Sequence, residues 1–116
     1  MSTALTNNRR RPARENRLIT VGRIEDVPVG RGATVELADK TEIALYHTPE
    51  GFYALENFCP HRGAALADGD LEGCIVACSL HGWQFDVRSG ACVSHAGNNV
   101  ERYDVIVEAG EIKILV

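Results

Sequence analysis

The sequence predicts an all-β fold, a small antiparallel sandwich or barrel, and three observations support this prediction. Short segments in which polar and apolar residues alternate recur along the chain, as half-buried strands require. Gly, Pro and Asp residues separate these segments at close intervals, which is typical of tight turns. No window keeps a helical period of apolar residues over three turns. A small fold built from short antiparallel strands satisfies all three observations.

The turn signals place the strands in chain order. Pro28, with the glycines that follow it, marks a loop after the first strand. Residues 38–40 and 48–51 form turns around the third strand. Ala109-Gly110 lies between two apolar runs near the C-terminus and indicates a hairpin. The predicted strands are 18–21, 34–37, 42–46, 52–55, 102–107 and 111–116.

Composition and charge indicate one globular domain behind a basic tail. The chain has 116 residues, 45% hydrophobic and 24% charged, which is ordinary for a soluble domain of this size. It has neither a run of 18 apolar residues nor a secretory signal, so we expect a cytoplasmic protein without a membrane span. Residues 1–17 contain five arginines and one glutamate, which leaves a net charge of −8 on the rest of the chain. We therefore expect a disordered tail, 1–16, a domain, 17–116, and no nucleic-acid binding.

Cysteine and histidine residues are concentrated in one segment. Residues 58–82 hold three of the four cysteines and two of the four histidines. They read C-x-H, then sixteen residues, then C-x-x-H. Cys59 with His61, and Cys78 with His81, each offer one thiolate and one imidazole. In a cytosolic protein such cysteines more often bind metal than form disulfides.

Two kinds of metal centre use two cysteines and two histidines. A tetrahedral zinc ion is one, but zinc fingers usually pair Cys with Cys and His with His at other spacings. Mixed pairs favour a binuclear [2Fe–2S] cluster, in which two cysteines hold one iron and two histidines hold the other. The pattern therefore favours this cluster over zinc, with the cysteines on the buried iron and the histidines on the outer one.

The segments Cys59-Pro60-His61-Arg62-Gly63 and Cys78-Ser79-Leu80-His81-Gly82-Trp83-Gln84-Phe85-Asp86 resemble the two cluster-binding loops of the Rieske family. From about residue 17 to residue 116 the strand pattern is similar to that of a whole Rieske domain. This resemblance implies that one [2Fe–2S] cluster is bound by four ligands: Cys59, His61, Cys78 and His81. It also implies a cluster-binding subdomain, loops about 58–66 and 78–83, inserted into the β-fold.

The resemblance leaves a third wall of the site without a predicted shape. Family members often close the cluster with a proline-containing loop, whereas residues 94–99 contain no proline. Outside the motif, Cys74 and Cys92 are expected to be buried as small hydrophobic residues. His47 and His95 are expected to be exposed histidines without a role.

The same resemblance implies a function in electron transfer. The chain would be a low-potential one-electron carrier, a Rieske ferredoxin. It would take electrons from an NAD(P)H-dependent flavoprotein reductase and pass them to a terminal Rieske non-haem iron oxygenase. The alternative is an accessory subunit of a larger reductase, such as assimilatory nitrite reductase. We expect a monomer that is not itself an enzyme. An oxygenase needs a further iron held by two histidines and a carboxylate, and only His47 and His95 remain.

The expected midpoint potential is near the bottom of the Rieske range, about −150 mV. High-potential relatives carry a disulfide between the loops and two hydroxyl groups that hydrogen-bond to sulfur. The matching positions here are Ala64, Leu80, Trp83 and Phe85, which supply neither device. Hydrogen bonds to sulfur stabilise the reduced, more negative cluster, so their absence lowers the potential.

Overall fold

The computed structural model describes residues 14–116, which form short antiparallel strands and two 3-10 turns. This confirms the predicted all-β class. The 3-10 turns are Ile24–Asp26 and Leu66–Asp68. The strands are β1 Leu18–Arg23, β2 Arg31–Glu36, β3 Glu42–Thr48, β4 Gly51–Glu56, β5 Asp70–Glu72, β6 Ile75–Ala77, β7 Gln84–Asp86, β8 Arg102–Tyr103, β9 Val105–Glu108 and β10 Glu111–Leu115.

The strands form three antiparallel sheets. The central sheet has the order β2-β3-β4-β8, and a second sheet has the order β1-β10-β9. The third sheet, β5-β6-β7, is built entirely from residues 70–86, with two strands before the second Cys/His pair and one after it. The first two sheets thus make the sandwich, and the third belongs to the inserted subdomain.

Strand β3 is buried on both faces, because each face supplies a different core. Side chains alternate across a strand, so Ile43 and Leu45 face one way while Ala44 and Tyr46 face the other. Ile43 and Leu45 pack in the sandwich core with Ile112 and other residues of the second sheet. Ala44 and Tyr46 pack in a second core with both motif cysteines and residues of the third sheet. The inserted subdomain therefore packs against one face of the central sheet.

The C-terminal hairpin confirms the turn signal at Ala109-Gly110. Glu108 and Glu111 pair across a two-residue loop in which φ is +53° at Ala109 and +77° at Gly110. Two positive φ angles are the pattern of the tight turn that matches strand twist.

Two parts of the strand prediction differ from the structure. The predicted strand 102–107 is divided at Asp104, whose carbonyl accepts the Leu115 N–H at 3.0 Å. Strand β8 pairs with β4 and strand β9 with β10, so the chain changes sheets at this point. Strands β5 to β7 were not predicted. Each has three residues, too few to show an alternating pattern.

Residues 1–13 of the predicted tail lie outside the described residues. Arg14 donates to the carbonyl of Arg102 at 2.6 Å, and its guanidinium lies 4.1 Å from the ring centroid of Tyr103. The N–H of Asn16 donates to the Val116 carbonyl at 2.7 Å. The tail boundary stays a prediction, although residues 14–16 contact the domain. No helix within residues 14–116 has the length and apolar character needed to cross a membrane.

Candidate metal centre

The two motif loops share one backbone pattern. In each, the cysteine N–H donates to the carbonyl five residues later, Ala64 at 2.8 Å or Trp83 at 2.7 Å. The glycine four residues after the cysteine donates back to the cysteine carbonyl, Gly63 at 2.6 Å and Gly82 at 3.1 Å. Both glycines have positive φ, +77° and +73°, a region that favours glycine. The chain thus builds the same hydrogen-bonded loop twice.

The structure brings the four predicted ligands together in two layers. The side chains of Cys59 and Cys78 are buried, with 1% and 5% of their surfaces exposed. His61 and His81 are exposed, and their ring centroids lie 4.8 Å apart with the planes at 70°. The thiols therefore form the inner layer of the site and the imidazoles the outer layer.

The environment of Cys59 keeps its thiol protonated in the absence of metal. Burial raises the pKa of Cys59 to about 11, and the neighbouring Cys78 thiol also raises it. The backbone N–H groups of His61 and Arg62 hydrogen-bond to this sulfur and oppose the shift, because they favour the thiolate. Metal binding must therefore displace a proton here, and these two amides stabilise the ligand in its thiolate form.

His61 is held toward its neutral form. Its pKa lies below the ordinary value, chiefly because the surrounding protein removes water from the ring. Coulombic interactions with His81, Arg62 and His95 lower this pKa further. Neutral imidazole is the form that binds a metal ion, so the site favours His61 as a ligand.

The donor set fits a [2Fe–2S] cluster. Across residues 14–116, no three His, Cys, Asp or Glu side chains converge as ligands of a single ion. Two protein donors on each iron are sufficient for the binuclear cluster, because sulfides complete the coordination. Cys59 and Cys78 would hold one iron, and His61 and His81 the other. The exposed outer layer and the amides directed at the Cys59 sulfur suit this arrangement.

Aromatic residues cover the site unequally. Phe85 is fully buried in the core that contains the motif cysteines. Trp83 is only half-buried, and its ring lies between two histidine rings. His61 lies on one side at 4.5 Å between centroids, and His95 lies on the other side at 4.0 Å.

Sequence reasoning missed His95, which was expected to have no role. It is exposed, as predicted, but its ring stacks on Trp83, which in turn stacks on the predicted ligand His61. No sequence pattern identifies it, because its contact with Trp83 depends on how the loop after β7 folds back.

The other residues named from the sequence have structural roles. Cys74 and Cys92 are buried and free, with 9% and 5% exposed, as expected. His47 is partly buried, stacks on Phe52 at 3.9 Å, and donates its Nδ1–H to the Val27 carbonyl at 2.6 Å. This histidine therefore stabilises the sandwich, and the expectation of an exposed residue without a role was wrong.

Comparison with known proteins places these loops in a family context. The family model described as the Rieske [2Fe-2S] domain matches residues 17–104. The chain is 37% identical over 86 residues to the ferredoxin component of the naphthalene 1,2-dioxygenase/salicylate 5-hydroxylase systems of a Ralstonia species. This match covers 73% of the chain and 82% of that protein.

Solved structures share the fold. A chain from the complex of reduced oxygenase and oxidized ferredoxin in carbazole 1,9a-dioxygenase matches with a TM-score of 0.79 and 27% identity, covering 87% of this chain and 94% of that one. The putative NADH-dependent nitrite reductase small subunit from Mycobacterium tuberculosis matches with a TM-score of 0.77 and 24% identity. That match covers 84% of this chain and 92% of that one, and its identity shows the fold alone.

Proposed function

The chain belongs to the Rieske [2Fe-2S] family, and we propose that it is the electron-carrying ferredoxin component of a ring-hydroxylating dioxygenase system. It binds one [2Fe–2S] cluster and carries electrons, and the terminal oxygenase is its acceptor. The observation that carries the proposal is the two-layer arrangement of buried thiols and exposed imidazoles. The relatives named as ferredoxin components support it.

Each residue of the motif has a defined part in this proposal. Cys59 and Cys78 hold the buried iron, and His61 and His81 hold the outer iron. The N–H groups of His61 and Arg62 stabilise the Cys59 thiolate through hydrogen bonds to its sulfur. When bound, the cluster supplies a centre that accepts and donates one electron. The exposed imidazoles of His61 and His81 leave this end of the protein accessible to a partner.

The electron donor is an NAD(P)H-dependent flavoprotein reductase, and the carrier acts as a cytoplasmic monomer. A low-potential carrier suits such a donor, since reduced flavin can deliver the single electrons that the cluster accepts. A role as accessory subunit of a nitrite reductase has less support. The nitrite reductase small subunit shares the fold at 24% sequence identity, whereas two ferredoxin components share 37% sequence identity with this chain.

Reconstitution with purified partners tests the proposal. We expect NADH, a flavoprotein reductase and this protein to reduce a naphthalene-type oxygenase, and product to form only when all the protein components are present. The Cys78→Ser variant is the matched control, since it lacks one ligand and should support no turnover. Product formed without the oxygenase would contradict the proposal. So would a reduced protein that passes electrons to a sirohaem reductase and to no oxygenase.

A further inference from the structure

Three aromatic rings form a continuous stack beside the metal centre. The planes of His61 and Trp83 differ by 11°, and those of Trp83 and His95 differ by 13°. The centroid distances, 4.5 and 4.0 Å, are those of rings in contact. Trp83 therefore has one face against a proposed iron ligand and the other against a histidine from a separate loop.

Hydrogen bonds fix the inner part of the stack to the ligand loop. The carbonyl of Trp83 accepts the N–H of Cys78 at 2.7 Å, so the tryptophan is tied to a motif cysteine. Its side chain also packs against the core that holds both cysteines. A tryptophan held at its backbone and on one side of its ring presents a rigid surface to His61.

Other hydrogen bonds fix the outer part of the stack. His95 Nδ1 lies 2.9 Å from Ser94 Oγ, and this hydroxyl oxygen accepts the N–H of Gln84 at 2.9 Å. The Val93 N–H donates to the Gln84 carbonyl at 2.8 Å, which ties the loop to β7. The Asn98 side chain donates to the His95 carbonyl at 3.1 Å. The loop therefore holds the His95 ring over Trp83, although that ring is exposed.

The two outer imidazoles are held differently. The His61 ring contacts Trp83 through a stacked face, while its contact with His81 is edge-on at 70°. Among residues 14–116, His61 is the only residue whose ring lies against that of His81. An exposed imidazole without a stacking partner turns about its side-chain bonds more freely than one pressed against a tryptophan.

We propose that Trp83 and His95 are positioning residues that clamp the His61 ring and form the third wall of the metal centre. The wall uses stacked aromatic rings where related proteins often use a proline-containing loop. The clamp fixes the plane of one imidazole ligand and leaves the other free to adjust. This inference rests on the part of the proposed function that assigns His61 to the outer iron.

The test compares His95→Ala, His95→Phe and Trp83→Leu with the parent protein, all carrying the cluster. The first readout is the rate at which a chelator bleaches the visible absorption. The second is pulsed EPR of the reduced protein, which measures the nitrogen coupling of each imidazole. The control is His47→Ala, because His47 also stacks on an aromatic ring, but that ring is Phe52, which packs against the sandwich core.

We expect His95→Ala and Trp83→Leu to bleach about two- to tenfold faster, the range that one aromatic pair contributes. One of the two nitrogen couplings should change in these variants, while His95→Phe restores both readouts and His47→Ala leaves them unchanged. His95 lies on the surface, so its variants test the clamp even if Trp83→Leu does not fold. Unchanged couplings, equal changes in both couplings, or no rescue by phenylalanine would overturn the proposal.

Neither readout requires an oxygenase. A protein that supports no turnover but shows the selective change in coupling would contradict the proposed function and support the clamp. A protein that supports turnover but shows no selective change in coupling would support the proposed function and contradict the clamp.

Discussion

Gly63 and Gly82 occupy the same position in two copies of one loop, each donating its N–H to the carbonyl of the cysteine four residues earlier. The flanking hydrogen bonds and the positive φ angles also correspond. The histidines do not, since His61 follows its cysteine by two residues and His81 follows by three. The two loops thus have the same backbone geometry, but each carries its histidine at a different position relative to the cysteine.

The first prediction concerns these glycines. A Cβ added at Gly82 would meet no atom within 4 Å, so Gly82→Ala changes only the backbone preference. A Cβ added at Gly63 would lie 3.2 Å from the Phe58 ring. We expect Gly82→Ala to cost about 1–2 kcal/mol of unfolding free energy and to lower the iron content. Gly63→Ala should cost more. Urea unfolding and iron analysis measure both effects.

The control for this prediction is Gly30→Ala. Gly30 has φ of +88° and open space at its Cβ, but it lies outside both ligand loops and outside the loop that carries His95. It should lose similar stability and keep its iron. Equal iron loss in Gly30→Ala and Gly82→Ala would show that the loop geometry has no specific role.

The second prediction separates motif cysteines from structural ones. Cys78→Ser should give colourless, less stable protein, because loss of one thiolate opens the cluster and its binding energy supports folding of the loops. Cys74→Ser is the matched control, since Cys74 is also buried and free in the same core, yet it should keep the colour. Visible spectra and iron analysis measure the cluster content of both variants. A coloured Cys78→Ser variant with full iron would refute the ligand assignment.

The third prediction concerns the midpoint potential, which we expect at about −150 mV. Phe85 is fully buried at the position where high-potential relatives carry a hydroxyl, so Phe85→Tyr should raise the potential if that hydroxyl reaches sulfur. Phe52→Tyr is the control, because Phe52 packs against the sandwich core. Protein-film voltammetry at neutral pH measures all three proteins. A clearly positive potential in the parent protein would exclude the low-potential carrier.

The fourth prediction concerns stability at high pH. Burial raises the pKa of Tyr103 to about 12, while Arg14 opposes the shift. The unfolded value is about 10, so the folded protein holds this proton more tightly. The stability from this group is therefore complete below about pH 10 and is lost as the pH rises through about 12.

Tyr103→Phe should remove that part of the alkaline loss without a large cost at neutral pH, since the Tyr103 hydroxyl is buried and makes no hydrogen bond to any of residues 14–116. Urea unfolding at several pH values measures the difference, with Tyr53→Phe as the control. An unchanged pH dependence in Tyr103→Phe would show that another group is responsible.

Much of the molecule could be predicted from sequence because its signals are local. The strand predicted at 42–46 and the turn at Ala109-Gly110 depend on neighbouring residues, and both the strand and the turn are present. The spacing of Cys59, His61, Cys78 and His81 is equally local. The structure places the thiols of Cys59 and Cys78 beside each other and the rings of His61 and His81 beside each other.

What could not be predicted depends on contacts between distant segments. The sheet change at Asp104 follows from a hydrogen bond to Leu115, which no local pattern records. The contact of His95 with Trp83 follows from a loop that folds back onto β7. The same limit applies to His47, whose Nδ1–H reaches a carbonyl twenty residues away.

Because β3 is covered on one face by the ligand loops, the lifetime of the protein in a cell should depend on the supply of metal. If the loops over this strand lose their order without metal, the side chains of Ala44, Tyr46 and Leu55 meet water while the sandwich on the opposite face remains folded. Such a protein displays an apolar patch on an otherwise intact domain, the kind of surface that chaperones and proteases recognise and that promotes aggregation. A cell short of iron or sulfide would therefore clear this carrier rather than accumulate an inactive form.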